Sequence, residues 1–177
     1  LQKVEKRIVE PTIHGIQQRG IDYHGFIFFG LMNVNGDPYV IEYNVRLGDP
    51  ETESILPRIK TDLMDMFGAG IEDNLKDFTL ELKPDFATAV MLVSGGYPEA
   101  YEKEKTITGL NAVKDSIVLH AGTKIKNNET VTSGGRVMAI TSLAQTMEAA
   151  LRTSMDNAEK IKFDKKYYRK DLGFDLK

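Results

Sequence analysis

The sequence has no cysteine and no long hydrophobic run, and both absences restrict what the protein can be. Without cysteine it can form no disulfide bond, no thiolate metal site and no cysteine nucleophile, which fits a reducing compartment. The apolar runs at residues 26–34 and 87–93 are far too short to span a bilayer, and no segment resembles a signal peptide. We therefore expect a cytoplasmic protein with no membrane partner.

Positive charge is not in excess either, since the formal net charge is -3 and the isoelectric point is near 5.7. Nucleic-acid-binding modules usually carry a clustered basic surface, so nucleic acid is not an expected partner. Hydrophobic residues make up 41% and charged residues 28%, as in an average soluble globular protein. The chain opens at Leu1 inside an apolar helical pattern with no capping residue, so we expect it to begin within a longer protein.

The first part of the chain predicts a helix followed by a β-hairpin. Residues 2–18 have helical spacing interrupted by Pro11, which we expect to end or kink the helix because proline has no amide donor. Residues 25–34 and 39–46 read as strands around an Asn-Gly turn at 35–36, the usual signal of a hairpin.

Helices and a linker are predicted next. The Gly-Asp-Pro tripeptide at residues 48–50 breaks the second strand, and Pro50 suits the first turn of a helix. Helices are predicted over residues 51–58 and 61–70, the second beginning at Thr61 or Asp62. Residues 73–83 are polar and irregular, and we place a linker between two domains there.

Beyond the linker the pattern changes to short strands separated by turns rich in glycine and asparagine. An amphipathic helix over residues 146–161 should cover the resulting sheet. The predicted fold is α+β, with a small antiparallel sheet or part-barrel domain at 84–177, capped by that helix. The strands are predicted at residues 87–94, 105–108, 117–121, 123–126, 129–132 and 136–142.

The strand at residues 40–46 carries the polar side chains that suggest chemistry. Its two-residue period puts Glu42, Asn44 and Arg46 on one face. The oxygens of Glu42 and Asn44 suit Mg²⁺, and Arg46 could hold a phosphate or a carboxylate. A solvated edge strand would show the same spacing. The polar turn that follows, leading into a helix whose first amides favour anions, strengthens the case for a site.

Residues 40–53 resemble a family signature that reads roughly V-I-E-[FY]-N-x-R-[FL]-G-D-P-E-T, that of the glycinamide ribonucleotide synthetases. Further motifs of that family follow in order, so the resemblance covers essentially the whole chain. They are Gly-Gly-Tyr-Pro at 95–98, His-Ala-Gly-Thr-Lys at 120–124, Ser-Gly-Gly-Arg-Val at 133–137 and Arg-Lys-Asp-Leu-Gly at 169–173.

The resemblance implies an ATP-grasp ligase of purine biosynthesis that uses ATP to join glycine to 5-phosphoribosylamine through glycyl phosphate. It implies Glu42 and Asn44 as ligands of Mg²⁺ or Mn²⁺ and Arg46 as the contact to the transferring phosphoryl group. By the same resemblance, Gly48 and Asp49 shape the substrate side of the site.

The resemblance also implies the domain organisation. Residues 1–72 would be the C-terminal part of the ATP-grasp domain, and residues 84–177 the family's C-terminal domain. The amino-terminal substrate domain and the adenine-binding lobe would lie upstream, so we expect the isolated chain to be inactive. Many ATP-grasp enzymes carry a second acidic metal ligand where this chain has Phe29 and Gly30. The ligands of any second metal must therefore come from elsewhere.

Four other residues are weaker candidates. His120 could contact the amino-terminal domain or the phosphoribosylamine, and Gly134, Gly135 and Arg136 resemble a phosphate-binding loop. A structural histidine and a glycine-rich hairpin turn are the commoner explanations of such residues. Two other functions stay open: a related ATP-grasp carboxylase or carboxylate–amine ligase, which the Gly-Asp-Pro continuation disfavours, and a non-catalytic binding module.

Overall fold

The computed structural model describes residues 1–176, which form two compact units. The first unit contains Leu1–Gly48 and Thr61–Leu80, and the second contains Asp49–Lys60 and the residues from Glu81 onward. The division of the chain into domains around residues 73–83 stays a prediction. Among residues 1–176 no helix is long and apolar enough to cross a membrane.

A helical segment opens the first unit. It consists of α1 (Gln2–Val4), a π-helical stretch (Glu5–Val9) and α2 (Glu10–Gln18). We predicted that Pro11 would end or kink the helix, and the helix does not end there. It lies in the first turn of α2, directly after the π-helical stretch, where the regular hydrogen-bond ladder is already interrupted and a missing amide donor costs little.

The predicted hairpin is present in the first unit. Strands β1 (Phe28–Val34) and β2 (Asp37–Asn44) pair in antiparallel fashion. Asn35 and Gly36 both have positive φ, 54° and 85°, as the tight turn of a two-residue hairpin requires. However, β2 ends at Asn44, so Arg46 lies in a bend beyond the strand and not on it as predicted.

The first unit also contains α4 (Leu63–Ile71) and a short 3₁₀ turn (Leu75–Asp77). Asp62 caps α4, since its side chain accepts a hydrogen bond of 2.7 Å from the Met64 amide. This confirms one of the two predicted starts.

A four-stranded antiparallel sheet forms the centre of the second unit, with the order β4-β7-β3-β8. A separate two-stranded hairpin pairs β5 with β6. Five of these strands lie close to the predicted positions, but residues 105–108 form only isolated bridges, because Thr106 pairs with Val131 and Thr108 with Lys162. The strands are β3 (Phe86–Ser94), β4 (Ile117–His120), β5 (Thr123–Lys126), β6 (Glu129–Thr132), β7 (Arg136–Ala144) and β8 (Lys166–Tyr167).

Two helices pack on β3 and β7 of this sheet. One is α5 (Met147–Lys160), which Thr146 caps through a hydrogen bond from the Ala149 amide, and the other is α3 (Thr52–Ile55). Residues 137–142 are all buried, as expected of a central strand covered on both faces. The core consists of Val90, Leu92, Ile107, Val137, Met138, Ile140, Ala158, Ile161, Phe163 and Tyr168. An α+β fold with a helix-capped antiparallel sheet is thereby confirmed.

The segment that enters α3 differs from the prediction. The α-helix has only four residues and continues as a 3₁₀ turn (Leu56–Arg58). Pro50 precedes the N-cap residue Glu51 and follows a cis Asp49–Pro50 peptide bond, so it does not occupy the first helical turn. A helix this short aligns few peptide dipoles, so its geometry does not favour the predicted anion site at its start, which stays a prediction.

Candidate functional site

Glu42 and Asn44 lie on the same face of β2, two residues apart. The Asn44 Nδ2 atom donates a hydrogen bond of 3.0 Å to Glu42 Oε1. Glu42 is exposed and Asn44 is partly buried, so the carboxylate and the amide are next to each other at the surface of the first unit.

A glycine on the neighbouring strand makes room for the Glu42 side chain. Gly30 is the cross-strand partner of Glu42, and a Cβ atom at Gly30 would lie 2.7 Å from Glu42 Cγ. Any larger residue would therefore push the carboxylate out of its position. Gly30 thus accommodates the Glu42 side chain, which spacing along β2 alone does not indicate.

The donor set fits a hard divalent cation. Mg²⁺ in proteins is usually held by one or two side-chain oxygens, while water and substrate phosphates complete the octahedron. Glu42 and Asn44 supply such a pair. In the part of the chain that the structure describes, no three His, Cys, Asp or Glu side chains cluster to form an all-protein cage. The metal role of the pair stays a prediction.

The next two predicted residues lie beyond the end of β2. Arg46 is exposed, and its Nη1 atom donates 2.8 Å to the carbonyl of Leu47. Gly48 is buried and is the last residue of this part of the first unit. The phosphate contact of Arg46 remains a prediction.

Asp49 and Arg136 form an ion pair in the second unit. Arg136 Nη1 donates to Asp49 Oδ1 at 2.9 Å and to the Asp49 carbonyl at 3.3 Å. Each residue was a candidate for a separate reason, Asp49 for the substrate side and Arg136 for a phosphate loop. Their pairing across 87 positions could not be predicted from either motif.

Sequence reasoning missed Glu53, the carboxylic acid next to this pair. Its Oε2 atom is buried, and no residue within 1–176 donates a hydrogen bond to it. Burial raises the pKa of Glu53 above its ordinary value, the Asp49 charge adds to that rise, and Arg136 opposes it. The only signal in the sequence is that Glu53 lies three residues after Pro50, near the start of a predicted helix. That signal is weak, because many surface helices begin with an acidic residue.

The glycines of the predicted phosphate loop serve close backbone packing. The amides of Ser133 and Gly134 both donate to the Gly122 carbonyl, at 2.7 and 3.1 Å. A Cβ atom at Gly135 would lie 2.1 Å from the ring of Tyr97, so only glycine fits there. A phosphate would have to displace existing hydrogen bonds, and the phosphate role of Gly134 and Gly135 is a prediction that this geometry does not favour.

His120 is the last residue of β4 and is exposed. Its Nδ1 atom lies 3.0 Å from the Thr123 hydroxyl, which closes the turn into β5. That contact gives His120 a structural role, and a substrate contact through its other ring nitrogen stays a prediction.

Comparison with known proteins relates both units to one enzyme family. A model of the phosphoribosylglycinamide synthetase C domain matches residues 87–175, and one of the ATP-grasp (A) domain of the same synthetase matches residues 1–52. The phosphoribosylamine–glycine ligase of Caldanaerobacter subterraneus is 41% identical over 98% of this chain. A bifunctional purine biosynthetic protein of Pichia angusta is also 41% identical over 98% of the chain.

A solved structure is similar as well. The crystal structure of the phosphoribosylamine–glycine ligase from Thermotoga maritima superposes with a TM-score of 0.84 at 38% identity, over 96% of this chain. The chain spans 42% of that protein and 42% of the Caldanaerobacter ligase, but 22% of the Pichia protein. It therefore corresponds to less than half of each relative.

Proposed function

The chain belongs to the phosphoribosylglycinamide synthetase family, and we propose that it is the C-terminal portion of a phosphoribosylamine–glycine ligase. The observation that carries this proposal is the Glu42–Asn44 pair on β2, within the region that matches the ATP-grasp domain. Similarity to ligases of this name extends over both units, which favours this activity over a binding module.

The proposed reaction joins two substrates at the expense of ATP. The γ-phosphoryl group passes to the carboxylate of glycine, the amine of 5-phosphoribosylamine attacks the activated carbonyl, and an amide forms as phosphate leaves. ADP is the third product, after the amide and phosphate. The full-length protein would carry out this step of purine biosynthesis in the cytoplasm, and the portion upstream of this chain would contribute the adenine and ribose contacts.

The residues of this chain have distinct parts in the proposal. Glu42 and Asn44 hold Mg²⁺ or Mn²⁺, which when bound neutralises phosphate charge. Arg46 contacts the phosphoryl group through charge-assisted hydrogen bonds. Gly48 and Asp49 shape the side on which the amino substrates bind.

The proposal is tested with the full-length protein and a Glu42→Gln variant. Wild type should release ADP only when glycine is present, and hydroxylamine should trap glycyl phosphate as the hydroxamate. Adding 5-phosphoribosylamine should yield glycinamide ribonucleotide. Because glutamine removes the charge that would hold the metal, we expect turnover to fall about 10²–10³-fold, with part of the loss restored by excess Mg²⁺.

A matched control removes the same negative charge but leaves the site intact. Glu129→Gln changes an exposed glutamate of β6 in the second unit and should retain full turnover. ATP hydrolysis that does not depend on glycine, or a preference for another carboxylate and amine in a substrate panel, would indicate a different ATP-grasp reaction. Near-normal turnover of Glu42→Gln at limiting Mg²⁺ would show that the β2 face is only a solvated strand edge.

A further inference from the structure

The segment at residues 49–55 is attached to β7 at two points. At its start, Arg136 donates to both the carboxylate and the carbonyl of Asp49. Four residues further on, the Thr141 hydroxyl donates 2.9 Å to the Glu53 carbonyl. The strand that forms the centre of the second unit therefore fixes the segment that directly follows Gly48.

The backbone that carries Arg136 is itself fixed. The Gly122 amide donates 2.8 Å to the Arg136 carbonyl, and a Cβ atom at Gly122 would lie only 2.4 Å from that oxygen. On the other side of the chain, Gly135 lies against the Tyr97 ring. Because these contacts leave the strand start little freedom, the guanidinium extends from a defined point.

The exposure of the pair limits what it can contribute to stability. The Arg136 and Asp49 side chains keep 39% and 45% of their accessible surface. Exposed ion pairs of this kind contribute about 0–1 kcal/mol to the free energy of unfolding. The two hydrogen bonds from one guanidinium atom and the second tether at Thr141 therefore act mainly on the orientation of Asp49 and not on stability.

We propose that Arg136 is a positioning residue that orients Asp49 to accept an N–H group of an amino substrate. This inference rests on the proposed function, in which both glycine and 5-phosphoribosylamine carry an amino group. A carboxylate is the natural acceptor for such a group, and it must face the amine in a fixed direction to discriminate substrates. Arg136 acts through Asp49 and touches no reacting atom.

The experiment uses full-length Arg136→Gln, Arg136→Lys, Asp49→Asn and the double variant Arg136→Gln/Asp49→Asn. The control is Arg169→Gln, which removes another exposed arginine. Arg169 donates two hydrogen bonds of 2.9 Å to the Asp171 carboxylate. We expect Arg136→Gln to lower kcat/KM by about 10²-fold for either glycine or 5-phosphoribosylamine, while KM for ATP is unchanged. Arg136→Lys should retain part of the activity because it keeps the charge but not the planar fork.

The double variant separates positioning from an independent role. If Arg136 acts only through Asp49, the double variant should be no worse than Asp49→Asn alone, since the two residues act as a unit. The melting temperatures of the Arg136 and Arg169 variants should agree within about 2 °C, as expected for exposed pairs.

Three results would overturn the inference. They are a wild-type kcat/KM in Arg136→Gln, losses that multiply in the double variant, and a loss of activity that matches an equal fall in melting temperature. An inactive wild-type protein would instead refute the proposed function, and the inference with it. The two failures are therefore told apart by the wild-type assay.

Discussion

The two units place their candidate site residues in opposite ways. In the first unit, Glu42 and Asn44 are neighbours on one strand and lie at the surface. In the second unit, Asp49 and Arg136 are 87 residues apart and meet where glycine turns pack backbone against backbone. The comparison shows that the site built along one strand needs one close approach, that of Gly30, whereas the site built across the fold depends on several close contacts between distant parts of the backbone.

This difference predicts that the two units respond differently to an added methyl group. Gly122→Ala in the second unit would bring a Cβ atom within 2.4 Å of the Arg136 carbonyl and 2.6 Å of Gly134 Cα. Backbone atoms cannot rotate out of the way as a side chain can. We expect a loss of about 3 kcal/mol in the free energy of unfolding, seen as a lower melting temperature of the chain by circular dichroism.

The matched control is Gly68→Ala in α4 of the first unit, where a Cβ atom would meet nothing within 4 Å. Alanine is favoured over glycine in a helix by roughly 0.5–1 kcal/mol, so this variant should be as stable as wild type or more stable. Equal effects of the two substitutions would mean that the close packing around Arg136 is not what distinguishes the second unit.

Much of the fold could be predicted because its signals are local. The Asn-Gly turn, the two-residue period of β2 and the capping residues Asp62 and Thr146 all act over a few positions, and the structure agrees with each. The predictions of secondary structure failed where pairing with residues distant in the sequence determines the structure. Residues 105–108 alternate between partners on different elements, and β8 has only two residues.

The candidate site residues likewise divide into those that local signals predict and those that depend on the fold. The shared face of Glu42 and Asn44 follows from periodicity, whereas the resemblance brought Asp49 and Arg136 to attention without indicating that they pair. Glu53 was missed because its importance comes from its burial, which the sequence does not encode locally, together with the charge of Asp49 four residues earlier. Arg46 was assigned to a strand that ends two residues earlier.

A second prediction compares one carboxylate from each unit as the pH changes. The pKa of Glu53 is raised, so its stabilising contribution is complete below the ordinary value of 4.5 and is lost as the pH rises through the folded-state pKa. Glu53→Gln removes this cost because the glutamine amide carries no charge. The variant should be more stable than wild type by about 1 kcal/mol at pH 8, and the gain should vanish near pH 4.

Glu42→Gln is the control from the first unit, because the Glu42 side chain is exposed. Its melting temperature should follow that of wild type at both pH values. Destabilisation by Glu53→Gln at pH 8 would indicate that the charged carboxylate, held by Arg136, is the stabilising form.

The smallest effects are expected where the two units are alike, at exposed carboxylates that each accept from two cations. Asp37 in the first unit pairs with Lys3 and Arg7, and Glu104 in the second pairs with Lys124 and Lys126. Hydrogen bonds from Lys124 and then Lys126 lower the pKa of Glu104 to about 2. Its contribution to stability is therefore present above about 4.5 and is lost as the pH falls toward about 2.

Asp37→Asn and Glu104→Gln should each lower the melting temperature by no more than about 2 °C at neutral pH, because solvent screens these charges. In 1 M salt both differences should shrink further, since the screening length falls to about 3 Å. At pH 2 the Glu104→Gln variant should unfold close to wild type, as the carboxylate is then half protonated. A large fall in melting temperature in Glu104→Gln alone would show that the second unit depends on its surface ion pairs as well as on its packing. The two units would then differ in what stabilises them and not only in how each site is built.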